Sequence, residues 1–511
     1  MKTYSDFSDE LSSNEVYEGL LGYGLFSDKL PPVFSSESFY NYCITNSPTF
    51  SDEWCPHVFY DSMRNTNVSR QLGVPNPMAY QLLCKCISDN WGQIQAFIKQ
   101  KTLGQSYIVS RIHLRRMAGT KALFKMNYTN WKVDGTPEPD LLIGSKYVVH
   151  ADISTCFPSI YTHSIPWALV GKDFAKQHAG RRWANEWYNQ IDHYAQISKN
   201  GETHGLLIGP HASNLLGEII LTSVDCELVH NWAYIRNIDD YTCFVKTYEE
   251  AQLFLTELAT ELRKYDLVLN HKKTEITTLP TAMTELWVRQ IGSPETFFRN
   301  GVMDYTGVRA YLDSAIELMG KNKDNSAILN YAIQALPYDK MSKNAKDYCI
   351  KTILHLSLLY PYLIQIVDKY VFERFHVDLD QVRNFSKLSY EQGLVNKNYD
   401  AVCHAIVFAL KYGFLIDMAN VQDVVASDSC LYKLMAFLYF KKNGMMTDAA
   451  SLQNHAKMLM QNDEDFGRNW LFVYEVLPQN DLSGEWKALK AKSVSFLKQE
   501  FQVEWRKACQ R

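Results

Sequence analysis

An α+β N-terminal part followed by an all-α second half is the architecture this sequence predicts, and three observations predict it. Short β-favouring runs alternate with helical segments up to about residue 304. From residue 305 onward the apolar pattern keeps a helical period alone. Between these regimes two adjacent acids, Asp239-Asp240, interrupt an aromatic, β-favouring run from Tyr234 to Val245. Two short strands with the acids at their turn account for that interruption. The chain is accordingly divided into residues 1–304 and 305–511.

Taken in order, the first element of interest is basic. Residues 90–133 carry Lys99, Lys101, Arg111, Arg115, Arg116, Lys121, Lys125 and Lys132 and no acid. Phe97, Tyr107, Phe124, Tyr128 and Trp131 are interleaved among them, as rings that could stack on bases. Arg111 and Arg115 are the candidates here for binding a nucleotide; the alternative is a solvated basic helix. Next, Lys146-Tyr147-Val148-Val149-His150-Ala151-Asp152-Ile153 reads as a strand ending in an acid, and residues 154–161 then turn into a helix. Side chains alternate faces along a strand, so paired acids converge only where a turn re-aims one of them. Alone, Asp152 reads as a strand-end cap and Asp239-Asp240 as a hairpin turn. Together they offer three carboxylates, enough to hold two Mg²⁺ ions about 3.5–4 Å apart for nucleotidyl transfer. Mg²⁺ keeps several waters and takes further ligands from substrate phosphates, so few protein carboxylates suffice.

With these residues in hand, the sequence resembles reverse transcriptases, and more narrowly the abortive-infection (Abi) polymerases of bacterial phage defence, close to the prophage-encoded ones. Asp152-Ile153-Ser154-Thr155-Cys156-Phe157-Pro158-Ser159-Ile160-Tyr161-Thr162-His163-Ser164-Ile165-Pro166-Trp167 resembles the first palm motif of that family and its extension. Thr203-His204-Gly205-Leu206-Leu207-Ile208-Gly209-Pro210-His211-Ala212-Ser213 resembles the second, Asn237-Ile238-Asp239-Asp240 the third, and Leu269-Asn270-His271-Lys272-Lys273-Thr274 the lysine motif that follows. A weaker likeness covers Arg70-Gln71-Leu72-Gly73-Val74-Pro75-Asn76-Pro77. The resemblance implies a palm and fingers in residues 1–304. It implies that Asp152 and Asp239 ligate both metals, Mg²⁺ or Mn²⁺, with the Ile153 carbonyl assisting and Asp240 acting more loosely.

The same resemblance makes Phe157 a sugar gate against a 2′-hydroxyl; otherwise it is a core aromatic. Gly209 would let the backbone approach the incoming nucleotide, and Lys273 would act near the triphosphate. Two departures stand out: Asn237 precedes the paired acids, and Leu207-Ile208 replaces the Pro-Gln that seats a template base pair. Abi polymerases share that loss, which implies untemplated synthesis from deoxynucleoside triphosphates. They also prime on their own tyrosine, leaving single-stranded DNA covalently attached to protein. Tyr23, followed by Gly24 to free the loop, is the preferred primer among neighbours Tyr4, Tyr17, Tyr40 and Tyr42. A homo-oligomer is a further implication. The rival readings are a conventional RNA-templated reverse transcriptase, a non-catalytic scaffold of the same fold and, last, a two-metal nuclease.

Composition limits the remaining classes. A net charge of −4 argues against wholesale coating of nucleic acid, which needs basic surface. The closest cysteine pair, Cys84-x-Cys86, is not a zinc spacing, and eleven scattered cysteines read as reduced thiols. The first ten residues lack the apolar core of an export signal, and no run of about eighteen apolar residues exists. A soluble cytoplasmic protein with no membrane partner is expected. In the second half, helical periods cover 308–319, 327–336, 345–359, 362–375, 401–412, 431–439, 449–460 and 486–505. Gly320, Pro337, Pro361, Gly413, Gly444 and Pro478 punctuate them. Such helices make either a HEAT-like stack of repeats or a bundle.

Overall fold

The computed structural model describes residues 2–124, 134–282 and 284–502. Its first sheet is a hairpin of β1 (Val58–Met63) and β2 (Ser69–Val74), paired antiparallel from Val58↔Val74 to Met63↔Ser69. Val58, Tyr60 and Ser62 point inward on β1, and Phe59 and Asp61 point out, the alternation of a sheet buried on one face. Beyond β2 the chain enters the helix Pro77–Asp89, with Pro77 at its first position and the Asn76 side chain accepting from the Met78 amide at 2.9 Å.

The second sheet holds β3 (Tyr147–Asp152), β4 (Ala233–Asn237), β5 (Asp240–Val245) and β6 (Glu275–Thr278) in the order β4-β5-β3-β6, every pair antiparallel. The two strands expected around the paired acids are thus a tight hairpin, and the expected strand ending in Asp152 lies beside them. Helix Tyr248–Arg263 packs on β3 and β5. Helix His211–Leu228 is buried along most of its length. The helix expected over 154–161 shrinks to one turn, Cys156–Ser159, because Thr155 before it is left-handed at φ 45° and Ile160 after it is extended.

From Tyr305 on, the described residues form helices and turns. The periods read from sequence fall inside Tyr305–Lys321, Ala327–Ala335, Lys343–Leu359, Tyr399–Tyr412, Cys430–Lys442 and Met446–Leu459 with small end shifts. Residues 362–375 are helical but change type, passing through a π turn at Asp368–Phe372. The period at 486–505 overshoots: the helix there is Gly484–Ala491. Beyond it Leu497 forms a bridge with Phe34 and a short 3-10 turn follows at Gln499–Phe501, where continuous helix was expected. Helix Leu379–Val395 had no counterpart in the reading. Its buried face uses Ser386, Ser389 and Gly393 beside Val382, Phe385 and Tyr390, which weakens the apolar period. The small residues serve close packing: a Cβ on Gly393 would lie 2.8 Å from Val402 Cγ2 of the next helix.

The second half walls in the first hairpin. Tyr60 Oη donates to Asp400 Oδ1 at 2.6 Å, and the Met63 amide donates to Asp400 Oδ2 at 2.9 Å. The Ser35 amide donates to the Phe496 carbonyl and the Lys498 amide to the Val33 carbonyl. Trp470, fully buried, donates from Nε1 to the Val74 carbonyl. Among the described residues no helix is long and apolar enough to cross a membrane, and the cysteines are free thiols.

Candidate polymerase active site

The two strands that flank the paired acids leave only Ile238 and Asp239 between Asn237 and Asp240. Such a two-residue hairpin loop requires a positive φ, normally supplied by glycine or asparagine. Here Ile238 takes it, at φ 58°, a strained choice for a β-branched residue. What holds it is visible. Arg236 Nη1 donates to the Ile238 carbonyl at 3.0 Å, and the Ile153 amide donates to the Asp239 carbonyl at 3.1 Å. Arg236 itself is fully buried, with Glu218 at 2.9 Å and Asp225 at 2.6 Å, both from helix His211–Leu228. Tyr234 Oη adds a bond to Asp225 at 2.9 Å. A buried cation with two buried acids thus clamps the turn to the helix, which is how local strain persists.

That turn brings the acids together. Asp152 lies opposite Asp240 in the β3–β5 register, and Asp239 precedes it in the turn. Asp152 is buried; it accepts from Asn270 Nδ2 at 3.0 Å and from Lys273 Nζ at 2.7 Å. The Asp152 carbonyl accepts from the Asn270 amide, so the residues after helix Tyr248–Arg263 carry both contacts. Withdrawal from water, then the charge of Asp239 and a hydrogen bond with Asp152, push the Asp240 carboxyl up to about 7. Desolvation likewise raises Asp239, reinforced by Asp152 and opposed by its own backbone hydrogen bond, Lys273 and Arg70. Lys273 and Arg70 do not balance three carboxylates, and that deficit of positive charge suits a hard divalent cation. Among the described residues no set of three or more His, Cys, Asp and Glu forms a ready cage for one.

The other predicted site residues fall into two groups. Phe157 is half-buried near the acids. A Cβ on Gly217 of helix His211–Leu228 would lie 3.3 Å from its ring, and with Ile238 it borders a small cavity. Gly209 has φ 129°, and a Cβ there would meet Ser27 at 3.3 Å and the Gly73 carbonyl at 3.5 Å. Phe157 thus sits beside the acid-bearing turn, whereas Gly209 meets the N-terminal segment and the first hairpin.

Arg111 and Arg115 turn inward instead. Arg115 is buried in a two-pronged pair with Asp134 at 2.8 and 2.9 Å. Arg111 is buried, donates to the Gly135 carbonyl and pairs its amide with the Arg236 carbonyl at 2.8 Å. Of the other basic residues, Arg116 meets Glu15 and Lys121 meets Glu18, while Lys99, near the end of helix Trp91–Lys101, is exposed. Phe97 and Phe124 are core residues, and Tyr107 Oη bonds Tyr234. Part of the expected basic surface is therefore turned inward at Arg111 and Arg115, and part is paired with acids of the N-terminal segment, which a local reading of residues 90–133 does not include. Lys125, Tyr128, Trp131 and Lys132 lie outside the described residues.

Tyr23 is half-buried. Burial and then Glu37 raise its phenol, with Lys121 and Glu18 also close; none of these neighbours is one of the three acids. Gly24 does not loosen the loop. Its carbonyl accepts from Tyr80 Oη at 2.9 Å and the His211 amide at 2.8 Å, and a Cβ would lie 2.6 Å from His211 Cβ. Close approach, not freedom, is what glycine supplies here.

Two arginines were passed over. Arg70, exposed on β2, lies close enough to Asp239 for each to shift the other; its signal was its place at the head of the Arg70–Pro77 likeness. Arg236 stands inside an otherwise aromatic and apolar strand, and a charge there already implies buried counter-charges.

Residues 93–310 match the family model described as reverse transcriptase (RNA-dependent DNA polymerase). The chain thus carries a reverse-transcriptase domain and is a nucleotidyltransferase of the DNA polymerase class. Domains of this kind use divalent metal ions and bind nucleotides and nucleic acid. Among solved structures it is similar to apo telomerase from Candida tropicalis, at 13% identity over 82% of this chain and 75% of that one, TM-score 0.31. It is also similar to telomerase from Candida albicans in complex with a fragment of telomeric RNA, at 11% identity over 75% and 71%, TM-score 0.29. No curated protein matches the chain.

Proposed function

We propose that this chain is a phage-defence polymerase of the abortive-infection kind. It adds deoxynucleotides without a template, beginning on one of its own tyrosines, so that single-stranded DNA stays attached to protein. The observation that carries the polymerase reading is Asp152 opposite Asp240 on neighbouring strands, with Asp239 in the adjoining turn. Asp152, Asp239 and more loosely Asp240 would hold Mg²⁺ or Mn²⁺ with the Ile153 carbonyl. Held there, the ions would supply charge stabilisation to the attacking oxygen and the leaving pyrophosphate. Lys273 would exchange Asp152 for the triphosphate, Arg70 would neutralise a phosphate from the hairpin side, and Phe157 would exclude a 2′-hydroxyl. Gly209 keeps the backbone slim beside the nucleotide.

Template independence is supported by what stands at the second motif. Leu207 packs on Gly73, where a Cβ would lie 2.7 Å from Leu207 Cδ2, and the Ile208 carbonyl accepts from the Gly73 amide at 3.0 Å. An apolar pair bound to the hairpin offers no amide side chain to seat a template base. Tyr23 is the proposed primer: its phenolic oxygen attacks the α-phosphorus, the α–β bridge breaks, and the phenol proton passes to solvent as pyrophosphate leaves. Residues 305–511 would act as a HEAT-like scaffold in a homo-oligomer. Its support is the succession of packed helices Leu379–Val395, Tyr399–Tyr412 and Cys430–Lys442.

The test incubates purified protein with labelled deoxynucleotides and Mg²⁺, without template or primer, and runs the products on denaturing gels before and after protease. Wild type should give a heterogeneous product released by protease, and Asp239→Asn and Tyr23→Phe none. A product that survives in Tyr23→Phe moves the priming site; synthesis that requires added RNA selects a templated enzyme.

A further inference from the structure

A second surface combines exposed or half-buried rings with an excess of positive charge. After helix Ser164–Val170, the chain passes through helix Lys172–Gln177 to the turn Arg181–Trp183. Phe174 is 47% exposed and stacks on His178, with centroids 4.0 Å apart and planes at 23°. His178 in turn meets the Trp183 ring edge-on at 4.3 Å. Cations sit on the rings: Lys172 Nζ lies 3.8 Å from the Trp167 centroid, and the Arg182 guanidinium 5.1 Å from that of Trp183. Residues 171–182 hold four Lys and Arg against the single acid Asp173.

Packing accounts for these rings only in part: Phe174 meets the buried Tyr188 edge-on at 6.2 Å. Trp167, Phe174 and Trp183 are all absent from the hydrophobic core and from the shell of side chains packed on it. Stacked aromatic faces among lysines and arginines have the chemistry of a single-strand platform, where bases stack and phosphates meet the cations. A duplex hides its base faces and gains only the charge. The surface is also continuous with the active site along the chain. From Asp152 the backbone runs to Tyr161, which pairs with His204 of the second motif and whose ring lies 5.7 Å from that of Trp167.

We propose that this surface binds the single-stranded DNA product as it leaves the acids, with bases stacking on Phe174 and Trp183 and phosphates on Lys176, Arg181 and Arg182. The choice of single-stranded DNA rests on the function proposed above. Binding of a short fluorescent oligo-dT, an oligo-U of equal length and a matched duplex, read by anisotropy without nucleotides, tests the surface apart from synthesis. Phe174→Ala should weaken oligo-dT binding about tenfold and leave the duplex nearly unchanged. Arg181→Glu combined with Arg182→Glu should flatten the salt dependence of log K by about 1.4. All these side chains are partly or fully solvent-facing, and thermal melting equal to wild type verifies the fold of each variant. Unchanged oligo-dT affinity in both variants, an equal loss on duplex, or preferential binding of oligo-U would each overturn the proposal. If wild type incorporates nothing while Phe174→Ala still loses oligo-dT, the surface stands and the proposed synthesis fails.

Discussion

Three carboxylates share one small volume with Lys273 and, from the hairpin side, Arg70, and their mutual repulsion is the most testable property of the site. Asp239→Asn removes a charge whose ionisation the fold opposes. Incorporation should fall by about 10³-fold or more, as expected when several kcal/mol of metal-mediated stabilisation is lost, with a melting temperature equal to or above that of wild type. The pH dependence follows from Asp240, whose carboxyl is raised to about 7 by desolvation and its acidic neighbours. A raised folded-state pKa gives stability that is fully present below the unfolded value, about 4, and is lost as pH rises through about 7. Metal-free protein should therefore melt lower at pH 8 than at pH 5.5, and Mg²⁺ should raise the melting temperature more at pH 8. A melting temperature independent of both would mean that the acids do not share a cation site.

At the scale of elements, the hairpin β4–β5 is aimed by the clamp between Arg236 and the helix His211–Leu228. Replacing Arg236 with Ala leaves Glu218 and Asp225 buried without their cation and frees the Ile238 carbonyl. Such a loss costs about 3–5 kcal/mol, and urea unfolding should register it. Gly24→Ala tests a second junction. The added Cβ, 2.6 Å from His211 Cβ and 2.8 Å from the Leu20 carbonyl, should cost about 1–3 kcal/mol by overpacking. An unaffected Gly24→Ala variant would restore the flexible loop read from the sequence.

At the scale of the whole molecule, the buried Asp400 joins the two halves. It accepts from Tyr60 and from the Met63 amide while paired with the buried His404 at 3.2 Å. Asp400→Ala strips counter-charge and acceptor from the junction at once and should destabilise by about 3–5 kcal/mol. A chain ending at residue 304 would expose the faces of Val58, Tyr60 and Val74 that the later helices cover. It should be insoluble or molten, as judged by recovery after expression and by near-ultraviolet circular dichroism.

The strand ending in Asp152, the acid-bearing hairpin and most helices after residue 305 were legible because each rests on a local period or on turn chemistry within a few residues. The order of the motifs made nucleotidyl transfer legible for the same reason. Arg111, Arg115, Gly24 and the helix Leu379–Val395 were misread or missed because their roles depend on partners far along the chain. Asp134 and the Arg236 carbonyl turn the arginines inward, His211 requires the glycine, and Val402 makes room for small residues rather than large ones. The sequence by itself determined which acids occur, in what order and on which kinds of element. Only the tertiary structure decided which cations face them, because an arginine's partner is set by where distant segments pack and by the cost of leaving any charge buried alone.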